Sequence, residues 1–317
     1  MGKKSRTSTA SATAPGQVGP RQPCPCGSGR RYKACHGAAD GAAPYVVRSF
    51  EGLPQECDWI ALREFVPAAL APLSLRPDAY DGAGEGRTVS VATLLPGLVP
   101  AMVRENSEVW LAVQVTHQSG DPSRDFAEAL RLGLAGEPGT SVVMPSLPGP
   151  GPRLQDVVDL TARLDVTVLE GFDFWFENAD DTDGSVAATL EQLNASIDPT
   201  RRLASVEAAY WTSVGTKEHV RWVMPHEEDA MLTALARLHA AGADSLGADS
   251  RLVGSFRAHG LLVPVWDLPV GTGAEAVEEP AAAFAERLAD VIGDKGPLSQ
   301  DERSARNGLA NRQLTIR

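Results

Sequence analysis

Three of the chain's four cysteines, Cys24, Cys26 and Cys35, lie within twelve residues, and His36 follows the last of them. The segment reads Pro23-Cys24-Pro25-Cys26-Gly27-Ser28-Gly29-Arg30-Arg31-Tyr32-Lys33-Ala34-Cys35-His36-Gly37. So short a peptide has no hydrophobic core of its own, but it can close around a metal. Three thiolates and one imidazole fill the tetrahedron of a structural zinc site and leave no position open for a reacting water. Pro25 holds a tight turn across which Cys24 and Cys26 reach one ion. Gly27 and Gly29 let the chain curl so that backbone N–H groups face the sulfurs. Arg30 to Ala34 has the length of one helical turn, which returns Cys35 and His36, and Gly37 permits the bend that lets neighbours share a metal. Binding of this kind is worth an apparent ~10–16 kcal/mol in small zinc-finger peptides and supplies the folding energy. The alternatives are a metal-free flexible tail and a disulfide between two of the thiols, which leaves the third idle. Lys3, Lys4 and Arg6 are not followed by an apolar stretch, so no secretory signal is read there. In a chain expected to stay in the cytoplasm, clustered cysteines favour a metal over disulfides.

Net charge is −12 and is unevenly spread. Residues 1–37 carry seven Lys or Arg and no acid, so a head of +7 precedes a body of −19. The head therefore suits an acidic partner: RNA, a ribosomal surface or an acidic protein. The body's field repels phosphates and argues against broad nucleic-acid binding. No run approaches the ~18 apolar residues that span a bilayer.

The chain divides by composition. Residues 1–22 are Ser, Thr, Ala, Gly and Pro with scattered charge, and read as a disordered basic arm. Residues 23–37 are the knuckle, and 38–44 are a Gly/Ala-rich linker. A main domain of 45–302 and a basic tail of 303–317 follow. Strands are expected over Arg87–Leu95, Val109–Thr116, Leu164–Glu177, Ala204–Val214, His219–Val223, Arg251–Arg257 and Gly260–Trp266, the last two as a hairpin turning at His259–Gly260. In the third of these, Phe172, Phe174 and Phe176 alternate with Asp173, Trp175 and Glu177. Helical spacing joins Phe126, Leu130 and Leu134, then Met231, Leu235 and Leu238, then Phe284, Leu288 and Ile292. Acids or proline open each of them, which suits unpaired N–H groups of a first turn. The fold class read from this is α+β: a zinc knuckle, then a mostly antiparallel sheet with helices on one face, built from repeated β-hairpin–helix units.

The knuckle resembles the SEC-C motif, best known from the C-terminal tail of the bacterial translocase ATPase SecA. Cys24, Cys26, Cys35 and His36 match its ligand positions, and Pro25, Gly27, Ser28, Gly29, Tyr32 and Lys33 match around them. The resemblance implies one structural Zn2+ and a docking role, since the translocase tail contacts the export chaperone SecB and the ribosome. By position it points to Arg30, Arg31, Tyr32 and Lys33 as partner-binding residues. No G-x-x-x-x-G-K-[ST] loop occurs, so the translocase motor does not carry over. The body, with Ser255-Phe256-Arg257-Ala258-His259-Gly260-Leu261-Leu262-Val263-Pro264-Val265-Trp266, is similar to an uncharacterised actinobacterial family that bears this motif. That likeness implies no activity.

Weaker signals remain. Asp180–Gly184 looks like a calcium loop but lacks both essential carboxylates when Gly184 takes position six; it reads as an acidic loop before a helix. His219, His226 and His259 are candidates for an acid–base or second metal site, or are surface residues. Cys57 reads as a buried small hydrophobe, and Gly149–Pro152 as a stiff loop whose prolines lack the donors of a phosphate cradle. The phenylalanine stripe reads as core, with an aromatic peptide groove as the alternative. The favoured reading is a non-enzymatic adaptor that docks through the knuckle. The others are an enzyme with its site in the body and an RNA- or ribosome-associated factor.

Overall fold

The computed structural model describes residues 19–22, 31–34, 45–115, 119–144, 148–176 and 185–312. Among these residues the chain is α+β, and the expected sheet is two sheets of five strands. The first contains β1 (Ala69–Pro72), β2 (Val89–Ala92), β3 (Ala101–Val103), β4 (Val109–Ala112) and β5 (Thr167–Val168), in the order β3-β4-β2-β1-β5. Its pairings are antiparallel except for β2 with β4. The second contains β6 (Thr200–Arg202), β7 (Ala209–Val214), β8 (Lys217–Trp222), β9 (Arg251–Ala258) and β10 (Leu261–Leu268), in the order β6-β7-β8-β10-β9. It is antiparallel throughout.

Seven helices accompany them: α1 (Glu56–Glu64), α2 (Pro122–Leu134), α3 (Leu154–Val157), α4 (Ser185–Asn194), α5 (Glu228–Ala240), α6 (Glu275–Ile292) and α7 (Gln300–Asn311). The hairpin β7–β8 runs into α5, and β9–β10 runs into α6, so the β-hairpin–helix unit occurs twice in succession. The second strands of the two units, β8 and β10, pair at the centre of the sheet. The β9–β10 turn falls at His259 and Gly260, both at positive φ (45° and 83°), as a two-residue hairpin turn of matching twist requires.

Alternation along the strands gives the second sheet two buried faces. On one, Val220, Trp222, Leu262 and Trp266 pack with Met231, Leu235, Phe284, Leu288 and Leu309 of α5, α6 and α7. The rings of Trp222, Trp266 and Phe284 meet there at 5.2–6.2 Å. On the other, Tyr210, Phe256, Val263 and Val265 join a core shared with the first sheet, α1 and α2. Because α1 lies within that core it is buried from Cys57 to Arg63, and so shows little of the one-sided pattern that marks a surface helix. Phe50 stacks between Trp59 and Phe126 at 6.1 and 6.0 Å.

One charge lies at this junction. Asp58 of α1 is 1% exposed. Its two oxygens accept from Arg202 Nε and Nη2 at 3.0 and 2.9 Å, and Oδ1 also accepts from the Tyr210 hydroxyl at 2.6 Å. The hydrogen bond to Asp58 raises the Arg202 pKa, and burial raises that of Tyr210 further from ionisation.

Two expectations differ from the structure. Leu164–Glu177 is not an alternating strand: β5 covers two residues, and Asp173–Trp175 form a 3-10 turn. The cause is local. Asn194 accepts from Phe172 N–H and donates to Asp173, and a Cβ on Gly171 would sit 2.6 Å from Asp173 Oδ2. The curl stacks Phe172 on Trp175 at 4.4 Å, and Phe176 is left 38% exposed. Pro280, expected in the first turn of its helix, lies inside α6, which starts five residues earlier at Glu275. At the C-terminal end the expected tail is helical over Gln300–Asn311, where α7 opens on a capping box from Ser299 and Glu302 and buries Leu309.

Replacing Asp58 by alanine leaves the Arg202 guanidinium and Tyr210 hydroxyl facing each other without their acceptor. Loss of one partner of a buried ion pair costs about 3–5 kcal/mol. Urea denaturation of Asp58→Ala should show a midpoint lowered by that amount of stability, with the slope unchanged.

Candidate metal and partner-binding sites

The four ligand positions of the knuckle, Cys24, Cys26, Cys35 and His36, and Arg30 beside them, lie outside the described residues. The pieces of chain around them are described. Gln22 O accepts from Tyr32 N–H at 2.8 Å, and Pro20 O accepts from Lys33 N–H at 3.0 Å. Tyr32–Ala34 form a single 3-10 turn. These bonds bring residues 31–34, just ahead of Cys35 and His36, back beside residues 20–22, just ahead of Cys24. A loop closed at its neck in this way suits one ion shared by both pairs, and three thiols with an imidazole are a zinc donor set.

Arg31 and Lys33 are exposed, whereas Tyr32 is half-buried. Its hydroxyl accepts from Tyr45 N–H at 2.6 Å, so Tyr32 binds its own chain. The segment after Tyr45 then runs across the body. Val46 N–H donates to Gly120 O. Arg48 forks onto Glu56 at 2.7 and 2.8 Å and reaches Glu227 at 3.3 Å.

The three histidines do not come together. His259, in the β9–β10 turn, places Nε2 2.9 Å from Glu64 Oε1 and its ring 4.8 Å from Phe50. His219 lies on β8 beyond the other end of that hairpin, with Nδ1 2.9 Å from Asp267 Oδ1. His226 is half-buried, and burial lowers its pKa from the usual value. Among the described residues no three His, Cys, Asp or Glu side chains form a metal-binding group. Cys57 is buried in the central core, and burial pushes its thiol pKa up to about 12, far from a reactive thiolate. Gly149–Pro152 is a cradle for a cation: Arg124 donates to the carbonyls of Pro148, Gly149 and Pro152 at 3.0–3.4 Å. The acidic loop Asp180–Gly184 lies outside the described residues.

Two open grooves occur among the described residues. One, of about 610 Å3, is lined by Arg76, Arg87 and Glu85 with backbone of residues 72–77; the other, of about 470 Å3, by Glu279, Pro280 and Arg287. Neither contains a histidine or a cysteine. No helix of the described residues is long and apolar enough to cross a membrane. The sequence reading singled out His219 but missed Lys217 and Arg221, although all three recur at every second residue, the signature of a shared strand face.

Two family models match the chain. One, described as a family of unknown function (DUF5926), matches residues 49–317, and the other, the SEC-C motif, matches residues 21–38. No curated protein and no solved structure matches it.

Burial raises the Glu64 pKa, but the His259 contact and Arg63 pull it lower still, so the net shift is downward. A carboxyl depressed in the folded state contributes stability above its unfolded value, near 4.3, and loses it as pH falls through the folded value. Glu64→Gln should therefore flatten the loss of unfolding free energy below about pH 4.3, read from urea titrations at successive pH values.

Proposed function

The chain belongs to the DUF5926 family, whose function is unknown, and carries a SEC-C motif ahead of the family domain; from that premise we propose that it is a zinc-containing, non-enzymatic docking protein of the cytoplasm. Cys24, Cys26, Cys35 and His36 hold one structural zinc ion. Arg30, Arg31 and Lys33 beside it meet an acidic surface on a protein or the ribosome, and Tyr32 fixes the turn that presents them. The SEC-C match over residues 21–38 carries this reading. The closed neck of the loop and the exposure of Arg31 and Lys33 support it, as does a head of +7 on a body of −19. When bound, the ion supplies folding energy to a peptide without a core, and four protein ligands leave it no catalytic position.

Metal analysis of the purified full chain should find one zinc ion per molecule. Replacing Cys35 by Ser and His36 by Ala together should bring the metal close to zero while the body still unfolds cooperatively, because its cores lie elsewhere. Undiminished zinc in that double variant defeats the ligand assignment.

Docking is read separately, by co-sedimentation of the full chain with bacterial ribosomes at low salt. The bound fraction should fall steeply as salt rises, and several-fold in Arg30→Glu/Arg31→Glu. Equal pelleting of variant and wild type would remove the ribosome as the partner of these residues.

A further inference from the structure

The second sheet carries a basic strip that the docking role does not use. Strand register puts five polar residues in one line across all five strands: Thr200 opposite Thr212, Thr212 opposite His219, His219 opposite Asp267, and Asp267 opposite Arg251. The next line on the same face runs Arg202, Tyr210, Arg221 and Val265. Along the central strand β8, Lys217, His219 and Arg221 therefore follow one another at ~6–7 Å, twice the rise per residue. Glu218, Val220 and Trp222 take the opposite, buried face.

The charges on this face do not balance. Asp267 lies 2.9 Å from His219 Nδ1, 3.8 Å from Lys217 Nζ and 3.7 Å from Arg251 Nη2, so one carboxylate stands among three basic groups. Of the other nearby acids, Asp58 is spent on Arg202 and Tyr210. Arg221 stacks its guanidinium 5.7 Å from the Phe65 ring centroid. Asp198 acts on it through space, and burial of its stem lowers its pKa from the usual value. Among the described residues no carbonyl or carboxylate accepts a hydrogen bond from it. A guanidinium carries five donors in a fixed fork. Here the fork lies over an aromatic ring, and among the described residues its donors have no hydrogen-bond acceptor.

We propose that the Lys217–His219–Arg221 face of β8 is a binding site for a phosphate-sized oxyanion. Arg221 supplies the bidentate fork, Lys217 a mobile point charge, and His219 a further donor between them. A tetrahedral dianion fits better than a single carboxylate, because it offers enough oxygens for all three donors and enough charge to offset the excess. In a body of −19 this is a local reversal of sign, so attraction is confined to the strip.

Equilibrium dialysis of the full chain against radiolabelled inorganic phosphate tests the assignment, with chloride holding ionic strength constant. The wild type should bind one phosphate per chain saturably. Arg221→Met keeps an apolar stem on Phe65 and should bind at least ~10-fold more weakly, equivalent to ~1.4 kcal/mol. Lys217→Glu, at an exposed position that leaves the fold intact, should weaken binding likewise and serves if Arg221→Met does not fold. Arg30→Glu/Arg31→Glu should bind as the wild type, which separates this site from the basic head and from the docking reading. Absence of saturable binding below ~10 mM overturns the proposal, as does unchanged affinity in Lys217→Glu and in a folded Arg221→Met. Loss of binding in the head variant also overturns it.

Discussion

A buried carboxylate on α1, Asp58, fixes that helix against the second sheet. Apolar faces attract without direction, and the rings around α1 would tolerate a shift of the helix against that sheet. Asp58 does not, because its oxygens take a bidentate fork from β6 and a hydroxyl from β7 in one geometry. It also fixes what the neighbouring face can do. With Asp58 committed to Arg202 and Tyr210, the Arg221 guanidinium one strand further on has no acid within hydrogen-bond reach and lies against Phe65. The constraint that fixes α1 on the second sheet thus leaves Arg221, among the described residues, without a hydrogen-bonded acid.

The segment from Tyr45 to Gln55 carries this order toward the knuckle. It starts at the Tyr32 hydroxyl, bonds the loop before α2 through Val46, and forks Arg48 onto α1 and the start of α5. Phe50 then enters the core between Trp59 and Phe126, with His259 on its edge. A Cβ on Gly260 would lie 3.1 Å from Arg48 Cβ and the backbone there is at φ 83°, so glycine lets the β9–β10 turn pack closely beneath the strap. Both halves of the body therefore contribute to the position of Tyr45, and through it to the turn that bears Arg31 and Lys33.

The C-terminal half was largely legible in the sequence because its elements are long and half-buried. Eight-residue strands either side of His259–Gly260 and helices with Met231/Leu235 or Phe284/Leu288 spacing display their period directly. The N-terminal half was legible in part: β2 and β4 fall inside the strands expected over Arg87–Leu95 and Val109–Thr116, and α2 carries the Phe126/Leu130/Leu134 spacing. Those two strands are buried at every position and read as apolar runs without alternation, while β1, β3 and β5 are too short to show any period. The Phe172–Phe176 pattern misled because one side chain, Asn194, bends the backbone from a distance in sequence. Among the sites, the knuckle could be read because its donors are local. The β8 strip could not: its spacing is visible in Lys217-Glu218-His219-Val220-Arg221, but the shortage of acid opposite it depends on β10 register and on Asp58 being occupied elsewhere.

The charge asymmetry acquires a mechanical sense from the Tyr32–Tyr45 contact. A basic head on a free linker would swing clear of an acidic body, and the two would act independently once separated by more than a Debye length, ~8 Å at physiological salt. The contact at 2.6 Å instead holds the turn bearing Arg31 and Lys33 at the body surface. An acidic partner then meets attraction from one patch and repulsion from the surface next to it, which penalises every approach except head-first. Orientation is obtained from the body's repulsion as much as from the head's attraction, and needs no large interface. A phosphate-sized ligand on β8 is drawn by the opposite arrangement, a few uncompensated donors recessed in an acidic surface.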